Sequence, residues 1–94
     1  MSFVDIMASR RNGTLYIGVT NELIRRVYEH KTEAVPGLTS RHQVHTLVWF
    51  EQTDSIITAI QREKQLKNWQ RRWKIRPIEH TNPYWHDLSS ALLS

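Results

Sequence analysis

The chain has 94 residues, 39% of them hydrophobic and four of them tryptophan. That supports one modest core, leaves no room for a second module and argues against disorder. There is no cysteine, which excludes disulfides and thiolate metal sites. The net charge of +4, with a pI near 9.9, fits an anionic partner. The longest apolar run is far short of the ~20 residues that span a bilayer. In Met1 to Arg11 the basic residues follow the apolar stretch, the reverse of a signal peptide. A soluble cytoplasmic protein is expected, one domain over 1–94 with its core at about 3–88.

Phe3 to Ala8 reads as a first strand and Thr14 to Val19 as a second, joined through Asn12-Gly13. Asn-Gly is a strong hairpin signal because both residues tolerate positive φ. A two-residue turn there pairs Arg11 with Thr14 and Ser9 with Tyr16. Val4, Ile6, Ala8, Leu15, Ile17 and Val19 then share an apolar face, expected to be core. Asp5, Met7, Ser9, Tyr16, Gly18 and Thr20 share the other, the expected floor of a site.

Thr20 or Asn21 can cap a helix running to about Lys31, with Glu22 in its first turn. Pro36-Gly37 marks a loop, and Thr46 to Phe50, rich in β-formers, a third strand. Asp54 or Ser55 caps a helix from about Ile56 to Asn68. Trp69 to Ile78 reads as a further helix that Pro77 bends or ends near Arg76. Asn82-Pro83 is a turn, and Trp85 to Ser94 has room for a short last helical turn. The order β-β-α-β-α-α gives an α+β fold: a small three-stranded antiparallel sheet flanked by helices.

Arg26 and His30 are four apart and share a helix face. A guanidinium beside an imidazole suits a phosphate ester, since Arg holds phosphate oxygens bidentately and His moves a proton near neutral pH. Two solvated helix residues are the simpler explanation of the spacing alone, and charge alone does not separate Arg26 from Arg25. Glu63 falls in the apolar series Ile56, Ala59, Ile60 and Leu66, where an ionised carboxylate is costly unless paired or metal-bound. It is either a ligand of a hydrated Mg²⁺ or an edge residue paired with Lys67. Tyr16 lies on the polar hairpin face beside Asp5, a residue type disfavoured within strands. Arg62, Lys64, Lys67, Arg71, Arg72, Lys74 and Arg76, interleaved with Trp69 and Trp73, form a basic stretch. Such a stretch is either a nucleic-acid surface or a solvated helix with core tryptophans. The five histidines, His42 and His45 among them, do not have the spacing of a zinc site.

Tyr16-Ile17-Gly18, followed by Arg26, His30, Glu63 and Asn82, resembles the GIY-YIG endonuclease superfamily, in particular its small stand-alone bacterial members. Asn12 to Thr20, Glu29-His30-Lys31, Arg62 to Gln65 and Asn82-Pro83 before Trp85 and Asp87-Leu88 carry the likeness over nearly the whole chain. The resemblance implies that Tyr16 contacts the nucleophilic water or scissile phosphate and that Arg26 stabilises charge on that phosphate. It implies that His30 assists proton movement, that Glu63 holds a single Mg²⁺ or Mn²⁺ ion, and that Asn82 supports the geometry. The first signature element aligns with Phe3-Val4-Asp5, so Asp5 stands where the family has a tyrosine. Asp5 serves as base or second metal ligand, or Tyr16 suffices alone, or cutting is lost and binding kept.

The resemblance implies a divalent-metal-dependent DNA endonuclease, selective for DNA structure and at work in repair or recombination. The alternative is a weakened or inactive domain that binds DNA. Arg25, Lys64, Lys67, Arg71, Arg72 and Lys74 are the expected nucleic-acid contacts. No membrane and no small-molecule cofactor are expected, and the expected state is a monomer or weak homodimer.

Overall fold

The computed structural model describes residues 1–32 and 44–93; the expected loop at Pro36-Gly37, together with His42, lies outside them. Strand β1 (Ser2–Ala8) is central, between β2 (Leu15–Thr20) and β3 (Thr46–Thr53), in an antiparallel sheet of order β2-β1-β3. The helices are α1 (Leu23–Thr32), α2 (Ile56–Asn68), α3 (Arg71–Thr81) and the short α4 (Ser89–Leu93). The fold is thus α+β, as the element pattern predicts. Among the described residues, no helix is long and apolar enough to cross a membrane.

The hairpin register differs from the expected one by two residues. Asp5 faces Gly18, Met7 faces Tyr16 and Ala8 faces Leu15. Arg10–Gly13 forms the loop, closed by the Ser9 amide donating to the Thr14 carbonyl at 3.0 Å and the Gly13 amide to the Arg10 carbonyl at 2.9 Å. Only Asn12 takes a positive φ, 60°, so Asn12-Gly13 is not a two-residue turn. The Ser9 hydroxyl accepts from the Thr14 amide at 3.0 Å, and this extra bond favours the wider loop. A shift of two residues keeps every side chain on its face, so the predicted division of the two faces survives.

On the first face Val4, Ile6, Ala8 and Ile17 pack with Ala59 and Leu66 of α2, Ile78 of α3, and Trp85. The register skips Val48 between the pairs Ile6–Trp49 and Met7–Leu47. This bulge lets two consecutive residues, Val48 and Trp49, enter the same core. The second face is also a core, contrary to expectation: Met7 and Leu47 pack under Leu23 and Val27 of α1, with Val44 beside them. The site floor is therefore only the part of that face around Asp5 of β1 and Gly18 of β2.

Three boundaries differ from the sequence reading by more than one residue. β3 continues through Glu51-Gln52-Thr53 because β1 offers partners as far as Ser2–Thr53. Trp69 and Gln70 are extended and separate α2 from α3, with the Trp69 amide donating to the Leu66 carbonyl. Pro77 does not end α3, which runs on to Thr81. Pro costs α3 one amide donor. The fully buried Ile78 and the Asn82 amide on the Ile78 carbonyl, at 2.7 Å, hold the last turn in place. Ser55 caps α2, accepting from the Thr58 amide at 3.2 Å.

Candidate active site

Helix α1 turns Leu23, Val27 and His30 toward the sheet, and Arg26 lies on the same face. The structure therefore separates the two adjacent arginines. The Arg25 side chain is 72% exposed and lies between Glu22 at 3.3 Å and Glu29 at 3.2 Å, so its charge is compensated. Arg26 points inward, and its Nε donates to Oδ2 of Asp5 at 2.6 Å.

Asp5 and Gly18 are cross-strand neighbours, and the Arg26 guanidinium lies directly over Gly18. A Cβ added at Gly18 would stand 2.0 Å from Arg26 Nη2 and 2.5 Å from its Cζ. Only glycine leaves room for this approach. The Tyr16 ring lies 5.5 Å from the Arg26 guanidinium, and the Tyr16 and His30 rings meet edge to face at 5.5 Å. Strand β2 and helix α1 thus bring Tyr16, Arg26 and His30 together over a floor made by Asp5 and Gly18. The sequence places Gly18 on the expected floor without giving it a role; its faint signal is that of a strand-interior Gly, which marks close approach.

Burial dominates the electrostatics. Asp5 is fully buried, and its carboxyl is raised from 3.8 to about 6: desolvation outweighs the stabilising charge and hydrogen bond of Arg26, and Glu63 raises it further. His30 is lowered to about 4, by burial first and by the Arg26 charge second. It is neutral at pH 7 and able to accept a proton. Among the described residues three buried atoms here lack hydrogen-bond partners: Asp5 Oδ1, Arg26 Nη2 and His30 Nδ1. Such atoms are uncommon in a finished core and point to a ligand-facing cluster.

Glu63 does not sit in a buried apolar stripe. Ala59 and Leu66 are the buried residues of α2, whereas Ile56 and Ile60 are exposed at 46% and 38%. The Glu63 carboxylate is half-buried, loosely paired with Lys67 at 3.6 Å, and close enough to Asp5 to affect its titration. Among the described residues no three His, Asp or Glu side chains group to cage a metal. The donor set fits a hydrated divalent ion on one carboxylate, the coordination Mg²⁺ favours, with Lys67 displaceable.

Asn82 stands apart from these groups. It is buried at the end of α3, and its side chain bonds only to backbone. Nδ2 donates to the carbonyls of Val48 (3.2 Å) and His86 (2.8 Å), and Oδ1 accepts from the His86 amide at 3.0 Å. It thereby ties the chain after α3 to the β3 bulge, which makes its part architectural. Asp87 does similar work: it takes Lys31 Nζ, the Ser89 hydroxyl at 2.7 Å and the Leu47 amide at 3.3 Å, and so fixes the end of α1 next to His30.

The basic stretch divides by partner. Lys67 pairs with Glu63, Arg71 donates to the Gly13 carbonyl, and Arg76 stacks on Trp73 at 4.7 Å. Arg62 bonds Gln65 and Glu51 and lies between Trp49 and Trp69. Among the described residues Lys64, Arg72 and Lys74 have no ion-pair partner.

Comparison with known proteins accords with this arrangement. A family model described as the GIY-YIG catalytic domain matches residues 1–76. The solution NMR structure of a UPF0213 protein from Bacillus halodurans superposes with a TM-score of 0.55 at 26% identity. The match covers 89% of this chain and 90% of that one. No curated protein is significantly similar in sequence.

Proposed function

The chain belongs to the GIY-YIG catalytic-domain family, a nuclease-type domain, and from that premise we propose that it is a divalent-metal-dependent DNA endonuclease. The observation that carries the reading is the part-buried Arg26 guanidinium, its Nη2 without a hydrogen-bond partner among the described residues, beside Tyr16 and a neutral His30. Phosphodiester hydrolysis needs a fixed cation at the phosphate oxygens, a group to take the proton of the attacking water, and charge stabilisation as the P–O bond breaks.

Arg26 supplies the cation, and its buried setting strengthens the attraction to a phosphate oxygen. The Tyr16 hydroxyl orients the water or the phosphate. His30 accepts the proton in its neutral form. Glu63 holds one Mg²⁺ or Mn²⁺ ion, which when bound supplies Lewis-acid stabilisation of the developing charge. Lys64, Arg72 and Lys74 are free to meet the DNA backbone. Lys67 is released if Glu63 takes the metal, whereas Arg25 contributes little because two acids already compensate it. A surface this small reads DNA shape rather than a long sequence, so branched or damaged DNA, the material of repair and recombination, is the substrate class.

The second reading, a domain that binds without cutting, rests on Asp5 at the position of the first signature tyrosine. One experiment separates the two: cleavage of supercoiled, linear and four-way-junction DNA with Mg²⁺ or Mn²⁺. The nuclease reading expects nicking by the wild type, lost in Glu63→Ala and Arg26→Ala. A silent wild type that gains cutting on Asp5→Tyr establishes the binding reading instead. Equal binding to all three DNAs would refute the preference for shape.

A further inference from the structure

The replacement of a tyrosine by a shorter, charged residue calls for an account of what Asp5 does. A general base must reach water, and Asp5 is fully buried, with Oδ2 taken by Arg26 and Oδ1 out of solvent contact. A metal ligand must reach a hydrated ion, and neither Asp5 oxygen is open to solvent. The grip on Arg26 is more informative. Asp5 bonds the guanidinium through Nε, and Nη2 is buried with no hydrogen-bond partner among the described residues. The Gly18 backbone lies beneath and the Tyr16 ring is nearby. A guanidinium bonded at Nε, with Nη2 buried against that backbone, has lost most of its rotational freedom, while the part of the side chain that stays exposed, 16% of it, is open to a phosphate oxygen.

We propose that Asp5 is a positioning residue, which grips Arg26 at Nε and fixes the guanidinium in place for a phosphodiester. The inference rests on the nuclease reading for its substrate, but the grip itself does not. Asp5 acts through Arg26, touches neither water nor metal, and takes no proton from the nucleophile. It also lowers the net charge of the site, exchanging some long-range attraction for orientation.

The test is a cycle of Asp5→Ala, Asp5→Asn, Arg26→Ala and the double variant Asp5→Ala/Arg26→Ala. It is read by cleavage, by affinity for a short duplex, and by the Nε–H signal of Arg26 in nitrogen-15 NMR. Asn keeps an acceptor for Nε–H, so Asp5→Asn is expected to stay within about threefold of the wild type and to retain a protected Nε–H. Asp5→Ala is expected to lower kcat by about 10²-fold, the scale for a misplacement of about 1 Å. It should also lose the protected signal and add nothing further in the Arg26→Ala background. Mn²⁺ binding, followed by water-proton relaxation, should fall in Glu63→Ala and persist in both Asp5 variants.

Four results would each overturn the proposal: Asp5→Ala as active as the wild type or more so; Asp5→Asn as impaired as Asp5→Ala; an Asp5 effect undiminished without Arg26; or Mn²⁺ binding lost with Asp5. If Asp5→Ala does not fold, Asp5→Asn and the NMR signal still decide. If the wild type cuts no DNA, the nuclease reading fails, and the duplex affinities and the Nε–H signal test the grip on their own.

Discussion

Gly18→Ala probes the centre of the site with a single methyl group. That methyl would stand 2.0 Å from Arg26 Nη2, whereas ordinary contact begins near 3.4 Å, so the guanidinium must lift by about 1.4 Å. An exposed arginine would swing aside at little cost. Arg26 is held at 2.6 Å by a carboxylate rooted in the same strand floor, so lifting it off Gly18 parts it from Asp5. Breaking a buried pair costs about 3–5 kcal/mol. Replacing a strand glycine with alanine returns about 0.5–1 kcal/mol. Protonation of Asp5, already titrating near 6, caps the loss, and about 2–4 kcal/mol is expected near neutral pH. At about 4–8 °C per kcal/mol for a chain of this size, Tm falls by roughly 8–32 °C. Thermal and urea unfolding followed by circular dichroism measure this. In an Asp5→Ala/Arg26→Ala background the penalty should shrink below about 1 kcal/mol, the ordinary range for a substitution that meets no such feature. A Gly18→Ala protein as stable as the wild type, or a penalty unchanged without the pair, would refute the wedge.

The pH dependence of stability carries two opposing contributions. The Asp5 carboxyl is raised from 3.8 to about 6 in the folded state, so its contribution is fully present below 3.8 and lost as pH rises through about 6. That interval corresponds to about 3 kcal/mol, and Asp5→Asn should gain on the wild type by roughly that amount between pH 4 and 7 in urea titrations. His30 is depressed from 6.5 to about 4, so its contribution is present above 6.5 and lost as pH falls toward 4; His30→Gln should flatten the acid limb. Asn82→Ala strands the Val48 and His86 carbonyls and the His86 amide, and a loss of about 2–3 kcal/mol is expected from urea midpoints. The Arg26 Nε–H signal should survive it, in keeping with an architectural part. Substituting Lys64, Arg72 or Lys74 by Ala should reduce the slope of log affinity against log salt by about 1 for each phosphate contact removed, across all DNA sequences alike. An unchanged slope for all three would move the DNA path elsewhere.

Much of the fold was legible in the sequence because periodicity is local. Alternation placed Val4, Ile6 and Ala8 on the face opposite Asp5 and Tyr16, and the structure keeps that division although the register moved by two residues. Spacing put Arg26 and His30 on one helix face, and Ser55 marked the start of α2. Which of two adjacent arginines turns inward was not legible, because charge and spacing are nearly the same for Arg25 and Arg26; packing of Leu23 and Val27 on the sheet decides it. The depth of Glu63 was misread, since the apolar residues Ile56 and Ile60 face outward once α2 docks through Ala59 and Leu66. The persistence of α3 beyond Pro77 depends on Ile78 finding a core. Composition and motif by themselves fixed the class of fold, the family likeness and the oddity of Asp5. The buried bond from Arg26 to Asp5, over a glycine that alone leaves room for it, needed three successive elements, β1, β2 and α1, to close on one another. A contact of that kind leaves no periodic trace in the sequence, and only the tertiary structure decides it.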